Sequence, residues 1–255
     1  MTTQRTEGSL YTNIVNRIAT IEFGHPASNS FPSTLLDRLT KELQRVSTID
    51  EVNVIILKSE GEKVFCAGAS FDELVAIDNF EDGKKFFSGF ANVINAMRTC
   101  SKLIIGSVQG KAVGGGVGLI AACDYVLATE AASVKLSELT IGIGPFVIAP
   151  AVERKIGVAG LAELTLAATE WKNAYWAKEK GLFSKVFETT GELAKETEFL
   201  AEKLASFNPE AITEMKKVLW KGTENWNHLL LERAEITGKL VLSDFTKKAL
   251  SEFKK

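Results

Sequence analysis

Histidine and cysteine are scarce in this chain: 2 and 3 residues among 255. Cys66, Cys100 and Cys123 lie far apart with no C-x-x-C pair. Neither a disulfide framework nor a zinc knuckle is therefore expected, and a reducing compartment fits better. No cluster of His, Asp, Glu and Cys has metal-ligand spacing, so no metal is expected either. An excess of one charge is also missing. Lysine plus arginine is 30 against 32 aspartate plus glutamate, a formal net charge of −2. That balance gives no support to a surface built to neutralise nucleic-acid phosphates. No apolar run approaches the roughly 18 residues a membrane-spanning helix needs. The opening MTTQRTEGSL has neither an apolar signal core nor an Arg-rich amphipathic pattern. The expectation is a soluble, cytoplasmic protein without membrane or nucleic-acid partners. Disorder is excluded by ordinary globular usage, 24% charged and 45% hydrophobic.

What is present reads as alternating strands and helices. Thr12 to Val15 and Ile18 to Phe23 are β-rich runs separated by Asn16-Arg17, which predicts a hairpin or tight bend. HPASNSFPS then breaks the pattern. Leu35, Leu36, Leu39, Leu43 and Val46 recur at helical spacing. VNVIIL (Val52 to Leu57) and LIIGSV (Leu103 to Val108) predict buried strands, with a helix from about Glu81 to Arg98 between them. Asp124 to Ala128 predicts a third. The alternation points to βαβ units and a mostly parallel sheet, an α/β fold. After about Phe146 the chain is helix-rich, with one strand expected at Phe183 to Phe187 and a proline break at Asn208-Pro209. The stretch from Trp226 to Phe253 carries more apolar residues than one face of a terminal helix needs. It reads either as a core helix pair or as a region docking on another subunit or folding over a ligand.

Gly110, Gly114, Gly115, Gly116 and Gly118 form the strongest local signal, directly after a strand and before a helix. Glycine lets the backbone approach a ligand, and a helix start offers N–H groups and a positive dipole end. Three readings compete. Gly116 to Ala121 formally matches G-x-G-x-x-A, with Glu130 ending the next strand, but Gln109 to Val113 intervene where a dinucleotide fingerprint turns tightly off its strand. A Walker A match fails, being one residue short with Ala112 after Lys111. The second reading is close helix–strand packing alone. The third is an oxyanion hole, which needs a second loop to supply another N–H. Phe65 to Ser70 (FCAGAS), after VNVIIL, provides one.

The pair FCAGASFDEL (Phe65 to Leu74) and GKAVGGGVGLIAACDYVLAT (Gly110 to Thr129) resembles the crotonase, or enoyl-CoA hydratase/isomerase, superfamily. The resemblance covers nearly the whole chain, from HPASNSF through SELTIGIGP to DFTKKALSEFKK. It implies a crotonase-like β-β-α spiral core, residues 1–195, with a helical C-terminal region, residues 196–255, for oligomerisation or covering the active site. It also implies an acyl-CoA thioester substrate and a homotrimer or dimer of trimers. By motif match the two oxyanion donors are the N–H groups of Ala69 and Gly115. Ala67, Ser70 and Phe71 fall where the CoA moiety is seated, and His25 occupies the place of a basic residue near the CoA phosphates. An ordinary turn histidine is an equal reading of His25.

Hydratases of this superfamily resemble one another in carrying two glutamates, one in GGGxE and one twenty residues on, at the end of a short strand. Here the first slot is Gly118 and the second is Glu138. Hydration needs one group to take a proton from water and another to deliver one to the α-carbon. Moving a double bond from C3–C4 to C2–C3 needs one carboxylate, which removes the α-proton and returns it at the γ-carbon. Glu138 alone therefore points to isomerisation. Against that, IGIGPFVIAPAVERKIG resembles the methylglutaconyl-CoA hydratase branch, which favours a hydratase. Asp72 or Glu73 could supply a second carboxyl, though both are expected on a solvent-facing helix side. A nucleophilic hydrolase has little support, lacking G-x-S-x-G and having only His25 and His228 as bases. Decarboxylation and thioester hydrolysis are within reach of the same oxyanion hole, and a non-catalytic acyl-CoA binder stays open. No cofactor is expected, CoA entering as part of the substrate.

Overall fold

The computed structural model describes residues 7–252. The first six residues of the stretch read for targeting signals, and Phe253 of the terminal apolar stretch, lie outside it.

β1 (Ser9–Val15) and β2 (Ile18–Gly24) form an antiparallel hairpin. Its two-residue turn holds Asn16 and Arg17 at φ 51° and 68°, the left-handed pair that matches strand twist in tight hairpins. Alternate residues Ala19, Ile21 and Phe23 of β2 are fully buried, as the period of two requires. β2 continues into a parallel array with β3 (Val54–Ser59), β5 (Leu103–Val108), β7 (Tyr125–Thr129) and β10 (Lys185–Phe187), in the order β1-β2-β3-β5-β7-β10. α1 (Ser33–Ser47) buries Leu35, Leu36, Leu39, Leu43 and Val46, the stripe that its 3.6-residue period predicts.

A second, smaller sheet was not legible in the sequence. It comprises β4 (Val64–Cys66), β6 (Lys111–Val113), β8 (Ser133–Lys135) and β9 (Lys172–Asn173), in the order β4-β6-β8-β9. Strands of two or three residues carry no readable alternation. The segment Gln109 to Val113 that separates the glycine loop from LIIGSV is thus largely a strand of its own. Three times the chain passes from the large sheet to the small one and then into a helical segment. β3 and β4 lead to α2 (Phe71–Ala76) and α3 (Phe80–Thr99); β5 and β6 lead to α4 (Gly115–Ala122). β7 and β8 lead to a 3₁₀ turn (Glu138–Ile141) and α5 (Ala149–Leu166). This repeat is the β-β-α spiral that the resemblance implies.

After β9 come α6 (Ala174–Glu179), α7 (Thr190–Ala205), α8 (Pro209–Leu219), α9 (Trp226–Leu240) and α10 (Asp244–Glu252). α7 runs across residue 195 and packs Leu193, Ala201 and Ala205 on Val54, Ile56, Ile105 and Leu127 of the sheet. α9 lies along α3, so closely that a Cβ on Gly238 would stand 2.8 Å from Lys84 N. α10 packs over the 3₁₀ turn: a Cβ on Gly142 would meet Phe245 and Thr246. The terminal helices therefore fold back onto the chain's own core. Among the described residues, no helix is long and apolar enough to cross a membrane.

Candidate active site

β4, β6 and β8 are adjacent and parallel, so their C-terminal ends share one edge of the small sheet. Parallel sheets characteristically bind ligands at that edge. Here β4 releases the loop with Ala69, β6 releases Gly114 and Gly115, and β8 releases Glu138, three residues past its end. Glu138 is thus the first residue of a 3₁₀ turn, not the end of a strand as expected. All three segments line one cavity of about 180 Å³.

The first loop is clamped from behind. Phe31 N–H donates to Gly68 O at 2.8 Å and Ser70 N–H donates to Phe31 O at 2.9 Å. In the second loop Gly114 holds φ 53° and ψ −121°, a conformation L side chains resist, and its N–H donates to Lys135 O. A Cβ at Gly114 would also stand 2.8 Å from Glu138 Oε1. Neither Ala69 N–H nor Gly115 N–H has an acceptor among the described residues. Gly115 is overlain by the Phe90 ring, which a Cβ would strike. Both residues are half-buried, so their free N–H groups face the cavity wall where a ligand could supply acceptors.

Glu138 is half-buried as a residue, but its Oε2 is shielded and has no hydrogen-bond partner. Burial pushes its carboxyl up to about 7, against the opposing effect of a hydrogen bond from its own backbone. Among the described residues it is the one titratable side chain on the cavity wall, which is otherwise mostly aliphatic and aromatic.

Ala67, Ala69, Phe71, Gly115 and Glu138 are brought together here. Ser70 and His25 do not line the cavity. Ser70 is buried and caps α2, its Oγ accepting from Glu73 N. His25 Nδ1 accepts from Ala27 N–H at 3.2 Å and lies 3.3 Å from Ser30 Oγ. Of the two further carboxyls considered, Asp72 is exposed and off the wall. Glu73 is not solvent-facing as expected: it caps α1, accepting from Ser33 N at 3.0 and 3.1 Å and from Ser33 Oγ at 2.5 Å. Among the described residues no group of three or more His, Cys, Asp or Glu is arranged to hold a metal ion.

A family model described as enoyl-CoA hydratase/isomerase matches residues 13–254. The chain belongs to the enoyl-CoA hydratase/isomerase family. Its relatives carry both kinds of name. One is a peroxisomal Δ(3,5)-Δ(2,4)-dienoyl-CoA isomerase of Arabidopsis thaliana, 28% identical over 236 residues, covering 87% of this chain and 81% of the relative. Another is a probable enoyl-CoA hydratase of Rhizobium meliloti, 32% identical over 212 residues, covering 82% and 79%. In fold it matches an enoyl-CoA hydratase from Bacillus halodurans with a TM-score of 0.88, at 22% identity and over 95% and 99% of the two chains.

In this enoyl-CoA hydratase/isomerase the slot at 118 is closed. A Cβ on Gly118 would lie 2.7 Å from Ile148 Cβ and closer still to its Cγ2. Gly118 N–H bonds the carbonyl of Gly114, the residue that caps α4, so Gly118 stands in the first turn of the helix, just past the cap. Glu138 sits over Gly114 and Ile148 over Gly118. Ile148, Phe90 and Thr237 were not singled out by sequence reasoning. Nothing in their local sequence marks them as lining the cavity.

Proposed function

We propose that this enzyme moves the double bond of a 3-enoyl-CoA thioester from C3–C4 to C2–C3. Ala69 and Gly115 N–H groups hold the thioester oxygen, and the Glu138 carboxylate takes a proton from C2. The electron pair delocalises into a dienolate whose oxyanion sits between the two amides. Glu138, now protonated, returns the proton at C4, and the bond order is redistributed with no net change in composition. A carboxyl near 7 divides its population between base and acid at neutral pH, which suits a group that must do both. Phe71 and Ala67 flank the cavity where the CoA arm would leave it; Ser70 lies buried between them, and His25 on the neighbouring 25–31 segment.

The observation that carries this reading is that, among the described residues, Glu138 is the one carboxyl on the cavity wall. CoA enters as part of the substrate, and the chemistry calls for no further cofactor. Assembly as a trimer or dimer of trimers belongs to the same proposal, supported by the exposed Phe207, Val218 and Phe245 on the C-terminal segments. So does a cytoplasmic location, supported by three free, buried cysteines.

A second reading, enoyl-CoA hydration with Glu138 as both base and acid, is favoured by relatives named hydratases. Incubation with 3-enoyl-CoA and 2-enoyl-CoA separately in heavy-oxygen water separates the two. Bond migration without label supports the isomerase; labelled 3-hydroxyacyl-CoA supports the hydratase. Binding of both thioesters without turnover would leave an acyl-CoA binder.

A further inference from the structure

We propose that Ile148 is a reaction-specificity determinant of this site, a side chain that takes the place of a second carboxyl and keeps water from the carboxyl of Glu138. The inference rests on the isomerase reading of Glu138 and extends it to a residue outside both recognised loops.

Gly114 caps α4 and Gly118 lies in its first turn, its N–H bonded to Gly114 O. Glu138 Oε1 approaches Gly114, and the Ile148 side chain occupies the space over Gly118. A side chain at 118 would enter the volume that Ile148 fills, and Ile148 is itself 4% exposed. The same residue contributes to the cavity wall. Its effect is double: no carboxyl can stand at 118 without Ile148 shrinking, and no water is held there by a polar group. Water in that place would be required to attack C3 of a 2-enoyl thioester; its exclusion leaves proton transfer within the substrate as the accessible reaction. The elements packed against the 3₁₀ turn carry Asp244, Lys247, Lys248 and Glu252 on α10 and Glu153, Arg154, Lys155 and Glu163 on α5. None of these charges contributes to the elevation of the Glu138 carboxyl, which comes from burial.

The test compares wild type, Ile148→Val, Ile148→Ala and the double variant Gly118→Glu/Ile148→Ala. The protonated carboxyl of Glu138 is titrated by infrared spectroscopy, with Glu138→Gln identifying its band, and products from both thioesters are analysed in heavy-oxygen water. The expected result is a Glu138 midpoint lowered by about one pH unit in Ile148→Ala, with Ile148→Val between. Labelled 3-hydroxyacyl-CoA is expected to rise at least tenfold in the double variant. An unmoved midpoint in both single variants overturns the inference, whatever reaction wild type catalyses. A wild type that hydrates instead of isomerising sinks the functional reading, and the midpoint still decides the role of Ile148. Ile148→Val guards against loss of folding, since removing one methylene costs only about 0.5–1.5 kcal/mol.

Discussion

Phe31 straddles Ala69: its N–H holds Gly68 O and its C=O holds Ser70 N–H. Successive N–H groups of an extended chain point to opposite sides, so the bond at Ser70 turns the Ala69 N–H away from Phe31. Phe31 is in turn carried by a segment anchored at Asn29. That buried side chain donates to Glu60 O at 2.7 Å and Val64 O at 2.8 Å and accepts from His25 N. Asn29→Ala removes the partner of Glu60 O and of His25 N–H, while Val64 O keeps Gln109 Nε2 at 3.2 Å, costing about 1–3 kcal/mol by chemical denaturation. It should also lower kcat about tenfold while KM changes less, because small displacements of a positioned group are felt in rate. An unchanged kcat would detach the 25–31 segment from the site.

The pH profile follows from Glu138. On the proposed mechanism the base is the ionised Glu138 carboxyl, which burial holds near 7. Accordingly kcat/KM for bond migration should rise with pH through about 7 and level off above it. A plateau already complete at pH 5 would mean that the ionisable base is elsewhere.

Glu138→Gln should reduce turnover by about 10²–10⁴-fold, the usual contribution of a general base, while thioester binding survives. The same change should stabilise the fold, with a definite sign. The folded carboxyl ionises near 7, above its ordinary 4.5. Between those values the native state holds more protons than the unfolded one. Stability is therefore full below about 4.5 and falls as pH rises through 7. At pH 8 the glutamine variant should exceed wild type by on the order of 1–3 kcal/mol, and the difference should vanish near pH 4. Urea titrations at the two pH values measure it.

Far from the cavity, Lys216 of α8 meets Asp124 at 2.6 Å with both side chains nearly inaccessible. Asp124 also accepts from Trp220 Nε1 and Ile104 N–H, each at 2.7 Å. Lys216→Met leaves the carboxylate buried without its cation and should cost about 3–5 kcal/mol. Adding Asp124→Asn should recover part of that loss, as read from urea midpoints. If the single variant loses less than 1 kcal/mol, on that scale the pair is not what docks α8 on the core.

The parts of the fold legible in the sequence were those long enough to repeat. β2, β3, β5 and β7 announced themselves through apolar runs, and α1 and α3 through helical periodicity; their burial matches that pattern. The small sheet did not, since β4, β6, β8 and β9 hold two or three residues each. Its pairing depends on partners dozens of residues away. The two loops that frame the cavity were legible for a different reason. FCAGAS and VGGGVG are local backbone devices, and glycine marks where a chain must turn or lie close to something.

The sequence by itself determined the family resemblance, the alternation of strands and helices, and the lone Glu138 beside an empty position 118. Only the tertiary structure decided what fills that position. Ile148 lies 30 residues beyond Gly118, just before α5, and reaches it because α5 packs on α4. It also decided that Glu73 is occupied as a helix cap rather than available as a second carboxyl. Both outcomes concern which atoms share a volume. Local sequence encodes backbone shape and which faces are apolar, whereas the filling of a given volume is settled by segments remote in the chain that close packing brings together.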